Sequence, residues 1–214
     1  MRLAGNHGEP NRARKKLAPP GGGAILEILQ PRSRLISARQ PASMSAKVMR
    51  SNFSIREATE ADVPLILHFV RELAAYEKLS HEVAATEDLL RQNLFSGRRS
   101  AEALMAYEGL DPVGFALFFH SFSTFVGKPG IYLEDLYISP KYRGRGYGKA
   151  LMVHLARLAK ARDCGRFEWS VLDWNAPSLD FYRSLGAVAM SEWTVQRLTG
   201  EALDALAACG LPNE

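Results

Sequence analysis

The chain has 214 residues, 47% hydrophobic and 23% charged, which suits one globular domain with a sizeable core and some chain besides. No apolar run approaches the roughly 20 residues of a membrane span, and two isolated cysteines, Cys164 and Cys209, argue against a disulfide framework and for a reducing, cytoplasmic setting. The formal charge of +4 is unevenly spread: residues 1–50 carry ten basic and two acidic side chains, residues 51–214 seventeen and twenty-one, so the body is acidic, unlike a nucleic-acid-binding domain and suited to a cationic substrate.

Residues 1–50 hold Pro19-Pro20, Gly21-Gly22-Gly23 and one short apolar run, Ala24–Leu29. That is too little to build a core. A disordered basic tail, an extension of the coding start (Met44 and Met49 both precede the first strand), a targeting leader and a nucleic-acid contact all fit it. It carries no weight for function. Residues 51–205 are expected to form the domain, and 206–214 a C-terminal tail.

Phe53–Glu57 alternates and reads as a strand. Thr59 with Asp62 resembles a capping box, and Pro64 suits a first helical turn. Val63, Ile66, Leu67, Val70, Leu73 and Ala74 then recur at helical spacing. A weaker helix is expected over about 83–95, and strands over 103–107 and 113–119 around a Gly109/Pro112 turn. Ile131–Ile138 is a strand that is nearly all apolar except for Glu134 and Asp135. A helix with Leu151, Met152, Leu155, Leu158 and Ala159 on one stripe follows. Phe167–Leu172 reads as a strand. Asn175 suits an N-cap, Pro177 an early turn, and Gly186 a left-handed C-terminal stop. A last strand over about 188–198 and a short Ala/Leu-rich helix complete the pattern. The order is β-α-α-β-β-β-α-β-α-β, which makes an α/β (α+β) fold with a mixed, mostly antiparallel sheet covered by helices on both faces.

The most informative stretch is Ile131–Lys149, a buried strand, a turn and a glycine-rich entry into a helix. Gly144, Gly146 and Gly148 alternate through that entry. Glycine lets backbone approach a ligand closely, and the first N–H groups of a helix lack internal partners, so the unit is a pyrophosphate cradle. It is not a P-loop, which needs G-x-x-x-x-G-K-[ST]. Nor is it the dinucleotide fingerprint G-x-G-x-x-G, which opens the first βα unit of its fold.

Written as Arg143-x-x-Gly146-x-Gly148, the segment resembles the acetyl-CoA loop of the GCN5-related N-acetyltransferase (GNAT) superfamily. Three blocks together resemble its diamine (spermidine/spermine) and thialysine acetyltransferase branch over roughly residues 52–200. They are Arg71–Lys78, Tyr132–Gly148, and Val171–Ser178 continuing through Phe181-Tyr182 to Leu185–Ala187. The resemblance implies a homodimer that uses acetyl-CoA, with no metal. It implies that Leu136, Tyr137 and Ile138 bond the pantetheine arm, that Arg143, Gly144, Arg145, Gly146, Tyr147, Gly148 and Lys149 cover the pyrophosphate, and that Asn175 contacts the cofactor. Tyr182 takes the general-acid position. Tyr76, Glu77, Glu134, Asp135 and Trp169 fall along the amine site.

No Ser or Cys nucleophile with a partnered His is evident, which fits direct attack by the amine without an acyl-enzyme. A phenol of pKa about 10 is protonated at neutral pH and suits proton donation to a thiolate. The attacking amine arrives as an ammonium, so carboxylates attract it, and Glu134 is the first candidate to relay its proton. Glu134 and Asp135 are neighbours, so on a regular strand they face opposite sides, and a bulge would change that. Met190–Thr194 holds a single acid, Glu192, where the polyamine enzymes are more acidic, so a short diamine or lysine analogue fits as well as spermidine. A protein or peptide acetyltransferase and a non-catalytic acetyl-CoA-binding module are the competing readings.

Overall fold

The computed structural model describes residues 52–211; the expectations for 1–50 and for the last three residues lie outside them. The strands are β1 (Phe53–Glu57), β2 (Glu102–Glu108), β3 (Asp111–Ser123), β4 (Lys128–Ile138) and β5 (Arg166–Trp169). The helices are α1 (Val63–Tyr76), α2 (Glu87–Phe95), α3 (Tyr147–Ala161), α4 (Ala176–Ser184) and α5 (Gly200–Ala207). The start of α1 is pinned by Asp62, which is 7% exposed. Its carboxylate accepts from the Thr59 amide at 2.7 Å and hydroxyl at 2.8 Å, and from both Arg56 nitrogens at 2.7 Å. The Arg56 guanidinium holds that carboxyl well below the usual carboxylate range.

The sheet runs β1-β2-β3-β4-β5, antiparallel except for the parallel pair β4–β5. Period-two alternation sorts its side chains between two cores. Leu104, Ala106, Ala116, Phe118, Ile131 and Leu133 pack with Leu151, Met152 and Leu155 of α3. Ala103, Met105, Phe115 and Tyr137 pack with Ile66 and Phe69 of α1 and Leu94 of α2. Leu151 and Leu155 are fully buried, each contributing about 1.5–3 kcal/mol against exposure. The expected mixed sheet with a helix layer on each face is therefore observed.

The parity of β4 changes midway. Ile131 and Leu133 face α3, yet farther along it is Ile138 that does so, while Tyr137 faces α1. A β-bulge causes the switch. Leu117 pairs with Asp135 and Phe118 with Leu133, which leaves Glu134 as the extra residue.

Three expectations need correction. The second helix begins at Glu87, because Ser80–Glu82 forms a separate 3-10 turn and Thr86 caps the helix through its side chain. Strand β5 stops at Trp169, three residues early, because its pairing with β4 ends at Leu133–Trp169. The strand anticipated over 188–198 does not form. That run finds no strand partner among the described residues, and Val188, Trp193 and Val195 are 83%, 73% and 77% exposed. Helix α5 follows as anticipated, although it runs across the domain boundary placed at residue 205. No helix among the described residues is long and apolar enough to cross a membrane.

Candidate functional site

Beyond Leu133 and Trp169 the two parallel strands part. β4 continues to Ile138, paired only with β3, so its other edge from Glu134 onward is open. Open strand edges present unpaired N–H and C=O groups. A cavity of about 790 Å³ occupies this splay. Its walls are the open edge of β4, the end of α1, the loop into α3, the segment after β5, and α4.

One end of the cavity is the entry to α3. Gly144 (φ 74°) and Gly146 (φ 84°) both adopt the left-handed conformation that L side chains resist. Gly146 is the N-cap, and the first intrahelical bond runs from Ala150 N to Gly146 O at 2.9 Å. The amides of Tyr147, Gly148 and Lys149 therefore lack helical partners and carry the positive end of the helix dipole. Gly148 has room for a Cβ, at 3.9 Å from Ile138 and Phe181, so it is not required by the protein's own packing. Arg143 locks the loop: its Nε donates to Ile138 O at 2.9 Å and its guanidinium lies over the Tyr76 ring at 4.8 Å.

The acidic end holds Glu77, Glu134 and Asp135. None of the three makes an ion pair or side-chain hydrogen bond among the described residues. The bulge brings Glu134 and Asp135 to the same cavity, where a regular strand would separate them. Burial, then the charges of Glu134 and Glu77, push Asp135 up to about 6. Burial also raises Glu77.

Helix α4 supplies Tyr182, wedged against Trp169 with ring centroids 5.0 Å apart. Burial, then the charge of Glu77, push the Tyr182 hydroxyl up to about 12. Asn175, 5% exposed, caps α4: its Oδ1 accepts from Ser178 N at 3.3 Å and from the Tyr76 hydroxyl at 3.1 Å. His120 lies outside the cavity, 3.3 Å from Arg162.

Of the cofactor, amine-site and general-acid residues that the resemblance implied, all but Arg145 line this cavity, and Glu192 is exposed outside it. Arg145 turns away to Glu108, donating at 2.7 Å. Tyr147 donates to the same carboxylate at 2.8 Å and stacks on Phe53 at 4.2 Å, and the Tyr137 side chain is buried beneath α1. These last two can meet a ligand only through backbone. The sequence reading missed Ser170, Phe181 and Arg197 as lining residues. Ser170 was hidden because its segment reads as continuing β5. Phe181, beside Tyr182, shows its cavity side only once α4 is oriented. Among the described residues, no group of three or more His, Cys, Asp or Glu is gathered to hold a metal ion.

The model of the Acetyltransferase (GNAT) family matches residues 67–187. The chain is 40% identical to the thialysine N-epsilon-acetyltransferase of Sus scrofa over 164 residues, covering 72% of this chain and 96% of that protein. It is 30% identical to an L-ornithine N5-acetyltransferase of Arabidopsis thaliana, covering 71% of this chain and 86% of that one. Among solved structures, an integron cassette protein from the mobile metagenome of V. cholerae is similar at a TM-score of 0.64 and 28% identity, over 74% of this chain and 99% of that one. The chain belongs to the GNAT acetyltransferase family and is an N-acetyltransferase.

Proposed function

We propose that the protein transfers the acetyl group of acetyl-CoA to a small cationic amine, of the diamine, polyamine or thialysine class, by direct attack without an acyl-enzyme. One observation carries this reading. Three carboxylates, Glu77, Glu134 and Asp135, converge on one cavity without any protein cation paired to them. Gathering unpaired acids in a partly desolvated site is costly unless a cationic ligand offsets the cost. The named amine substrates of the similar proteins, thialysine and L-ornithine, point the same way.

The other end of the cavity fits acetyl-CoA. The amides of residues 147–149 suit a diphosphate, and the open edge of β4 suits an amide-bearing arm. Leu136 and Ile138 present that edge, Arg143 and Gly144 to Gly148 shape the loop, and Lys149 and Asn175 line the approach. When bound, acetyl-CoA supplies the acyl group as a thioester and departs as a thiol. Tyr182, whose hydroxyl holds its proton to about pH 12, is a donor at neutral pH and not a base. Asp135 is the stronger candidate to take the ammonium proton. Its pKa of about 6 lies close to neutrality, whereas Glu134 is exposed and better placed to attract the cation.

A homodimer belongs to the same proposal. The outer edge of β5 has no strand partner among the described residues, and Trp193, Val195 and Leu206 are 73%, 77% and 58% exposed. A second copy would cover such surface.

The test is acetyl-CoA turnover with putrescine, spermidine, thialysine, lysine and an amino-terminal peptide. The reading requires turnover of at least one of the first four well above the peptide. Turnover of the peptide alone would establish the protein-acetyltransferase reading, and turnover of none would exclude all five amines as substrates.

A further inference from the structure

We propose that Tyr76 is a positioning residue for the cofactor limb of the cavity, and that it acts through the carboxamide of Asn175. Tyr76 ends α1, and 99 positions separate it from Asn175, yet its hydroxyl donates to Asn175 Oδ1 at 3.1 Å. The same oxygen accepts from Ser178 N at 3.3 Å. The Ser178 N–H identifies that atom as oxygen, because an NH2 there would face a donor that cannot accept. The carboxamide is thereby held with its NH2 group turned away from the cap. That NH2 has no hydrogen-bond partner among the described residues, and Asn175 lines the cavity. A carboxamide so oriented offers N–H donors to an amide carbonyl, a group repeated along the pantetheine arm.

Tyr76 also touches the rest of that limb. Arg143 stacks on its ring at 4.8 Å while donating from Nε to Ile138 O at 2.9 Å. One side chain thus ties the glycine loop, the end of β4 and the N-cap of α4 together. The Asn175 carboxamide could cap α4 without help, since capping uses only the Ser178 bond. The Tyr76 bond adds orientation and removes the freedom of the amide to turn over.

The inference rests on acetyl-CoA occupying this limb, as proposed above. The test titrates CoA by calorimetry into wild type, Tyr76→Phe, Asn175→Ser and the double variant. Tyr76→Phe keeps the ring that Arg143 stacks on, and Asn175→Ser keeps an N-cap oxygen while removing the NH2. Tyr76→Phe is expected to weaken CoA binding about ten-fold, the scale of one oriented hydrogen bond. The same change in the Asn175→Ser background is expected to weaken it less than two-fold, because nothing remains to orient. An unchanged CoA affinity, or an equal loss in both backgrounds, would overturn the assignment. Wild-type protein that binds no CoA would overturn it together with the reading beneath it, and that result is distinct from the others.

Discussion

Replacing Asp135 by Asn should make the unliganded protein more stable. Asp135 is mostly buried, makes no ion pair or side-chain hydrogen bond among the described residues, and faces the charges of Glu134 and Glu77. Its pKa rises from an ordinary 3.8 to about 6. At 1.36 kcal/mol per pH unit, that difference amounts to about 3 kcal/mol of destabilisation once the group is ionised. The folded state binds the proton more tightly than the unfolded state, so stability falls as pH rises from about 4 to about 6 and the penalty is complete above that. Asn keeps the shape and drops the charge. Urea unfolding followed by tryptophan fluorescence should show the variant more stable by about 2–3 kcal/mol at pH 7.5 and by about 1–2 kcal/mol at pH 5. The difference between the two proteins cancels other carboxylates, including Asp62, whose lowered pKa stabilises the fold at neutral pH and fails only in strong acid. The same change should lower turnover by at least ten-fold, since it removes the group proposed to take the ammonium proton. A variant less stable than wild type at pH 7.5, or a gain equal at both pH values, would refute the reasoning.

Further outcomes are expected from the same site. Tyr182→Phe should retain CoA binding in calorimetry and lower turnover ten-fold or more, because Tyr182 is a protonated donor at neutral pH; an unaffected rate removes that role. Glu77→Gln should raise KM for a diamine several-fold while sparing a monoamine, with equal effects on both ending the idea of a distal ammonium site. Gly146→Ala forces a Cβ onto φ 84°, costing about 1–2 kcal/mol of stability in thermal unfolding and weakening CoA binding; a neutral result on both would mean the helix entry is not used.

Much of the fold could be read from residue pattern. β1, α1 and α3 follow directly from alternation and helical stripes, and Asn175 and Gly186 bound α4 as their side-chain chemistry suggests: Asn175 caps its start, and Gly186 stands at φ 86° past its end. The cavity lining was also legible, because the glycine loop and the acidic pair belong to one β-loop-α unit. What could not be read is three-dimensional parity. Ile131–Ile138 is apolar on both faces, so no alternation marks the bulge that aims Glu134 and Asp135 into one space. The Tyr76–Asn175 bond joins residues far apart in the chain, and nothing local signals it. Residues 188–198 carry strand-forming side chains, yet pattern alone does not say whether a sheet edge will receive them.

A crystal structure of the complex with CoA tests the central claim most directly. The account predicts the diphosphate within hydrogen-bonding distance of the amides of Tyr147, Gly148 and Lys149, the arm along the open edge of β4, and the sulfur beside Tyr182. A CoA molecule bound outside the splay between β4 and β5, or with its sulfur remote from both Tyr182 and Asp135, would contradict it.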